Sequence, residues 1–330
     1  MSNGVGHPQP PPPGRPAGTA RHLLEVDDLG AAAIDEVLRL ADRAPDRTLM
    51  DTKGAVLLFQ HPSARTRNAA EMAVASLGGH PVTVRADEVG IDIRETAEDV
   101  ARTLACYHDV ILARVSDHST LRRFTAALDA GGWSVPVVNL LSDNGHPTQI
   151  LADLCVIRRR FGSLAGRKVA WIGDGNNVCR SLVLAAAMVG VEVSVSTPPG
   201  FGLSDADVQR AAALGRAPSI ADTPQDAVLD ADVLYTDVWV SMGQEDEAES
   251  RRRAFAGWTI DAELVRRAAP DAVVMHCLPA HRGEEIAPDV LEGPRSVIWE
   301  QVVARRDSLV GLLSFLFGGR SAAVGGPRAR

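Results

Sequence analysis

The chain reads as an α/β protein made of two doubly wound parallel-sheet domains. Three observations lead there. Apolar runs of strand length alternate with segments that are apolar at helical spacing. At 330 residues the chain is long enough for two separate cores. The alternation also begins afresh in the second half, where the run Lys168 to Ile172 is followed by the turn Gly173-Asp174-Gly175 and an apolar helix.

In order, Ala32 to Arg43 places Ile34, Val37, Leu38 and Ala41 on one helical face. Gly54 to Gln60 is a strand, and Thr66 to Leu77 a helix ended by Gly78-Gly79. Asp109 to Val115 and Val135 to Leu141 are further strands. Thr148 to Phe161 is an amphipathic helix with Ile150, Leu151, Leu154, Ile157 and Phe161 on one face, and it connects the halves near residue 150. In the second half Ser181 to Met188 is a helix, and Val191 to Ser196, Asp232 to Tyr235 and Ala272 to Met275 are strands. Residues 1–20, rich in Pro and Gly, predict a disordered tail, and 318–330 a flexible end. The expected domains are therefore 21–150 and 151–304, with a helix near 305–317 packing back on the first.

Composition excludes several classes. A net charge of -8 with no basic stripe speaks against a nucleic-acid partner. Cys106, Cys155, Cys179 and Cys277 are scattered, which suits a reducing cytosol and supports neither a disulfide framework nor a zinc site. No apolar run approaches the ~20 residues a membrane span needs, and the N-terminus lacks the pattern of a signal peptide. A cytoplasmic protein is expected.

Polar residues gather where strands end, the edge at which open α/β sheets bind ligands. The most informative segment is Met275-His276-Cys277-Leu278-Pro279-Ala280-His281-Arg282-Gly283-Glu284-Glu285, which crowds histidines, a cysteine and carboxylates beyond a buried strand. Phe59 to Arg67 joins strand to helix. Ser63 is a natural N-cap there, and the free amides of the first turn with Arg65 make an anion site. By itself Ser-x-Arg-x-Arg better describes a capped helix with surface arginines. Arg114 ends a strand at the same edge, and His146-Pro147-Thr148-Gln149 is another polar loop. Gly173-Asp174-Gly175-Asn176-Asn177 lacks the third glycine of a dinucleotide fingerprint, since Val178 stands there. An Asn pair at a strand-to-helix turn suits a carboxylate instead. Asp237 suits an ammonium group, or else a helix N-cap.

Ser63-Ala64-Arg65-Thr66-Arg67, His146-Pro147-Thr148-Gln149, Asp237-Val238-Trp239-Val240-Ser241-Met242-Gly243 and His276-Cys277-Leu278-Pro279 occur in this order. Together they resemble the four signature segments of the ornithine carbamoyltransferases, over about residues 22–315. The resemblance implies a carbamoyl phosphate domain followed by an amino-acid domain, a homotrimer, and carbamoyl transfer to ornithine giving citrulline. It implies that Ser63, Ala64, Arg65, Thr66, Arg114, His146, Gln149 and Arg305 bind carbamoyl phosphate. It likewise assigns Asn177, Asp237, Ser241, Met242, Cys277 and Leu278 to ornithine. Arg65, Arg114, His146 and Cys277 would act at the reacting atoms, and this enzyme chemistry is expected to need no metal and no organic cofactor. Nothing in the spacing supplies the paired base of a nucleophilic Cys277.

This chain departs from the family pattern at four places. Ala64 stands for a threonine, the loop before Glu95-Thr96 is about two residues longer, Val302-Val303-Ala304-Arg305 replaces Ala-Glu-Asn-Arg, and His61-Pro62 replaces a commoner approach to the phosphate loop. These leave open two other readings: a specialised paralogue that carbamoylates another amine, and a non-catalytic ligand-binding regulator.

Overall fold

The computed structural model describes residues 10–12, 18–241 and 245–318. Most of the expected N-terminal tail, and all of the expected flexible end after Gly318, lie outside the described residues. The chain forms two compact units. The first holds the described residues up to Asp28, Asp35–Thr148 and those from Arg306 on; the second holds Leu29–Ile34 and Gln149–Arg305.

Helix α1 (Gly30–Ala41) precedes the first sheet, whose strands are β1 (Gly54–Phe59), β2 (His80–Arg85), β3 (Val110–Arg114) and β4 (Val137–Leu141). All run parallel in the order β2-β1-β3-β4. Helices α2 (Ala64–Ser76), α3 (Ala86–Val89), α4 (Ala97–Tyr107) and α5 (His118–Ala130) connect them. Every residue of β3 is buried, as a parallel strand covered on both faces requires, and Val56, Leu58, Ile111, Phe124 and Trp133 share one core. Strand β2 has no counterpart in the sequence reading. It is an edge strand, only partly buried, with Pro81 near its start, so it lacks the continuous apolar signal of its neighbours. The stop after α2 is steric as well as conformational: Gly78 has φ +82°, and a Cβ there would lie 2.0 Å from the Arg47 carbonyl oxygen.

In the second unit β5 (Lys168–Ile172), β6 (Glu192–Ser196), β7 (Ser219–Ile220), β8 (Val233–Thr236) and β9 (Val273–His276) run parallel in the order β7-β6-β5-β8-β9. Its helices are α6 (Pro147–Phe161), α7 (Asn177–Val189), α8 (Asp205–Leu214), α9 (Pro224–Ala227), α10 (Ala248–Ala254), α11 (Ala262–Arg267), α12 (Pro288–Leu291) and α13 (Ile298–Gly318), with α6 and α13 also contributing residues to the first unit. Ile172, Leu234, Ile260, Val274 and Ile298 form the core, and the Trp171 and Tyr235 rings lie 5.0 Å apart. Helix α7 begins earlier than the expected Ser181, at Asn177. The Asn176 side chain accepts from the Val178 and Cys179 amides and so caps the extra turn.

Both sheets reverse direction once. In the first the chain moves outward from β1 to β2, then returns to the other side with β3. In the second it moves from β5 through β6 and β7, then returns with β8. The switch points lie between β1 and β3 and between β5 and β8, where the loops at the carboxyl ends diverge and leave a crevice. Among the described residues no helix is long and apolar enough to cross a membrane.

Candidate functional site

The first unit assembles its polar groups at the β1/β3 switch point. Phe59 pairs with Arg114, and the Gln60 amide donates to the Arg114 carbonyl at 2.9 Å, so both loops leave the sheet side by side. Ser63 caps α2 as expected: its Oγ accepts from the Thr66 amide at 3.4 Å and donates to Thr66 Oγ1 at 3.1 Å. Arg65 is exposed beside the cap, whereas Arg67 is held in an ion pair with Glu71 at 2.8 Å. Both arginines are exposed, and they differ in that Arg67 is engaged by Glu71 on its own helix.

Arg114 is buried, which a lone guanidinium tolerates only with hydrogen-bonding or charged company. The strand register shifts at this residue: Ala113 faces Asn139, but Arg114 faces Leu141. The extra residue in β4 is a bulge, a device that re-aims side chains at a strand end. The loop after β4 is pinned by Asn139, whose Nδ2 lies near the Leu24 carbonyl, Ser142 Oγ and the Gly145 carbonyl. That fixes the buried His146, whose Nδ1 lies 3.5 Å from Thr148 Oγ1.

His61, one of the departures, has a definite place. Its Nε2 lies 2.7 Å from Ser116 Oγ, while Gln60 Oε1 accepts from the Ser116 amide at 2.7 Å. The two residues tie the loop after β1 to the loop after β3. The longer loop before Thr96 is also anchored, since Asp92 accepts two bonds from Arg123, which in turn holds Glu98.

The second unit assembles a carboxylate-centred group at the β5/β8 switch point. Asp237 is buried; its Oδ1 accepts from the Val238 amide and its Oδ2 from Asn176 Nδ2, both at 2.8 Å. Among the described residues it caps no helix, so that alternative falls: its partners come from its own loop, from the neighbouring β5 loop and, through the Cys277 thiol, from the loop after β9. Asn176, unlike Asn177, is therefore a structural residue that caps α7 and steadies Asp237. Asn177 is half-buried at the first position of that helix. Ser241 is half-buried, and Met242 lies outside the described residues.

Pairing of β8 with β9 sets Thr236 opposite His276 and brings Cys277 to Asp237. Burial, together with the neighbouring and hydrogen-bonded Asp237 carboxylate, pushes the Cys277 thiol well above its ordinary value. It is therefore a neutral thiol rather than a nucleophile at neutral pH. The ligand atoms of Asp237, His276 and Cys277 lie within 4.8 Å of one another, a grouping that sequence spacing did not reveal. Both His276 ring nitrogens are already in use, Nδ1 accepting from the Leu278 amide at 2.9 Å and Nε2 lying 3.1 Å from Glu285 Oε1.

The polar segment after β9 thus divides into buried scaffold and candidate site residues. His276 and Glu285 are wholly buried, and Glu285 Oε1 also accepts from the His281 amide at 2.5 Å. This pair holds Leu278 at φ +61°, a costly conformation for a branched side chain. The Gly-Asp-Gly turn is scaffold too. A Cβ on Gly175 would meet Gly202 and Leu203 backbone at 2.7 Å, so glycine is demanded by packing rather than by a nucleotide.

One further residue, Arg251, escaped the sequence reading. Arg251 is buried between the rings of Phe201 and Phe255, donates to the Trp239 carbonyl and pairs with Asp174, clamping the loop that follows Asp237. Burial pushes Asp174 up to about 6 against the pull of Arg251. Asp174 belongs to the Gly-Asp-Gly turn, but Arg251 lies in no recognisable motif. Gln149 on α6 and Arg305 on α13 are buried and hydrogen-bonded to each other, Arg305 donating to Gln149 Oε1. Of the residues replacing the family's Ala-Glu-Asn, Val303 is exposed and Ala304 buried.

Residues 21–159 match the family model for the aspartate/ornithine carbamoyltransferase carbamoyl-P binding domain, and residues 165–316 that for the Asp/Orn binding domain. The ornithine carbamoyltransferase of Acidothermus cellulolyticus is 47% identical over 315 residues, spanning 91% of this chain and 98% of that one. The anabolic ornithine carbamoyltransferase of Pyrococcus furiosus is 43% identical over 311 residues, with 91% and 97% covered. The solved ornithine carbamoyltransferase of the same organism superposes with a TM-score of 0.85 at 40% identity, covering 92% of this chain and 99% of that chain. With fold, motif order and full-length similarity in agreement, the chain belongs to the aspartate/ornithine carbamoyltransferase family.

Proposed function

We propose that the chain transfers the carbamoyl group of carbamoyl phosphate to the side-chain amine of L-ornithine, giving L-citrulline and phosphate. The observation that carries this reading is the pair of switch-point groups: an anion-binding helix start beside a buried arginine in one sheet, and a buried carboxylate in the other. The α2 N-terminus, Ser63, Arg65 and Thr66 hold the phosphate, the Ala64 amide standing in for a hydroxyl donor. The neutral amine attacks the carbonyl carbon, a tetrahedral intermediate forms, and its C–O bond to phosphate breaks as the nitrogen loses a proton. Arg114 and His146 stabilise the oxyanion, while Gln149 and Arg305 hold the carbamoyl end. Asn177 takes the substrate carboxylate and Asp237 its α-ammonium, with Ser241, Met242, Cys277 and Leu278 beside the side chain. Because an alkyl amine has a pKa near ~10, the site must favour its neutral form. The same reading makes the protein a homotrimer of the cytoplasm, working in arginine synthesis.

The testing experiment is initial rates of phosphate release with ornithine, lysine, 2,4-diaminobutyrate, 2,3-diaminopropionate and putrescine. Preference for ornithine with citrulline as product is the expected outcome. Preference for another amine would replace the acceptor, and ligand-dependent thermal stabilisation without phosphate release would make the protein a binder only.

Two smaller effects follow from the geometry. Ala64→Thr is expected to lower the KM for carbamoyl phosphate about two- to tenfold by adding one hydroxyl donor. An unchanged KM would mean the backbone amide already makes that contact. Glu285→Ala is expected to cost about 3 kcal/mol of unfolding stability and to raise the ornithine KM, because the support of Leu278 is lost. Urea unfolding checks it, and Glu285→Gln, which keeps an acceptor oxygen, should cost much less.

A further inference from the structure

Behind the proposed carbamoyl contacts lies a buried polar group that no motif announces. Asp153, one turn beyond Gln149 on α6, is wholly buried. Its Oδ1 accepts from Gln149 Nε2 at 2.8 Å and from Gln301 Nε2 at 2.9 Å, and its Oδ2 accepts from Tyr235 Oη at 2.7 Å. Gln301 Oε1 in turn accepts from the His276 amide at 2.8 Å, so the group joins α6, β8, β9 and α13. Arg305, one turn beyond Gln301, donates to Gln149 Oε1.

The chemistry of this arrangement is directional. The two ends of a glutamine amide have nearly the same shape, so packing alone does not choose between them. An ionised carboxylate only accepts hydrogen bonds, so it binds the NH2 end and turns the carbonyl end away. Gln149 therefore presents Oε1 as an acceptor, with Arg305 on the same oxygen. A carbamoyl NH2 is a donor and needs that orientation; the flipped amide would oppose donor to donor.

We propose that Asp153 is a positioning residue, which locks the Gln149 amide with its carbonyl towards the carbamoyl NH2 and, through it, sets Arg305. The inference rests on the assignment of Gln149 to carbamoyl phosphate. It also predicts a proton dependence. Burial pushes Asp153 up to about 6, opposed by the bonds from Gln301, Tyr235 and Gln149 and by the charge of Arg305. The other titratable groups facing it, Tyr235 and Cys277, have values raised well above the ordinary and stay neutral across this range. Once protonated, Asp153 no longer demands the NH2 end, which leaves Arg305 alone to oppose a flipped Gln149, and the lock weakens as pH falls through about 6.

The experiment is the KM for carbamoyl phosphate and for ornithine from pH 5.5 to 8.5 (roughly the range around the Asp153 value) in the full-length enzyme and four variants. Asp153→Ala should raise the carbamoyl phosphate KM about tenfold or more and leave the ornithine KM within about twofold. Asp153→Asn keeps an acceptor towards Gln149 and Gln301 and can donate to Tyr235 Oη. It should lose the rise in KM that the parent has below about pH 6, and Tyr235→Phe, which removes a donor to the carboxylate, should move that rise to higher pH. Titration of the substrate itself is common to all and cancels in the ratio to the parent. A wild-type acid limb in Asp153→Asn, or an unchanged carbamoyl phosphate KM in Asp153→Ala, overturns the proposal. The Asn and Phe variants carry the test should the alanine variant fail to fold. Gln149→Ala separates the two levels. If it raises the carbamoyl phosphate KM and Asp153→Ala does not, the site stands and the positioning role falls; if it does not, the assignment of Gln149 falls and takes this inference with it.

Discussion

Arg114→Ala is expected to lower kcat at least ~10²–10³-fold, the loss of about 3–4 kcal/mol of oxyanion stabilisation. Arg114 is buried at the end of β3 beside the strand that leads to the proposed phosphate loop, with a bulge setting its direction. The backbone bond from Gln60 to the Arg114 carbonyl survives any side-chain change, so the strand end should remain in place. Thermal unfolding should therefore be cooperative in the variant while turnover collapses. Arg114→Lys keeps the charge but loses the planar fork, and an intermediate rate is expected from it. Near-normal kcat in the alanine variant, measured under saturation with both substrates, would remove Arg114 from the chemistry.

The second large effect concerns Asp237. Its carboxylate faces donors from the Val238 amide and Asn176 Nδ2, with the Cys277 thiol also bonded to it. Asp237→Asn puts an NH2 group where only acceptors fit and removes the charge proposed to meet the α-ammonium. Hydrogen bonds to charged groups are worth about 1.5–3 kcal/mol, so the ornithine KM should rise roughly 10–150-fold. The KM for carbamoyl phosphate should stay within about twofold, since the change lies in the group proposed to bind the amine. A shift confined to carbamoyl phosphate would reverse the assignment of substrates to the two units.

Much of this was legible before any coordinates. Ser63 was readable as a cap because a serine before a helical pattern has few other uses, and β3 and β5 were readable because doubly covered strands are continuously apolar. Edge strand β2 was not, since half-burial leaves a mixed pattern with no period of its own. Asn176 and Asn177 were visible as a pair, yet only the capping bonds separate the structural Asn176 from the candidate ligand Asn177. His276 and Glu285 looked like site residues by their polarity, and burial makes them scaffold.

Sequence by itself determined the fold class, the order of most elements and the polar loops at the strand ends, because hydrophobic period, capping residues and strand-end motifs are local properties of the chain. Tertiary structure decided which polar residues touch. Tyr235 reaches Asp153 across 82 positions and Gln301 across 148, with no periodicity linking them. Such contacts are chosen by sheet order and helix packing, where a buried polar atom must find a partner wherever the fold supplies one.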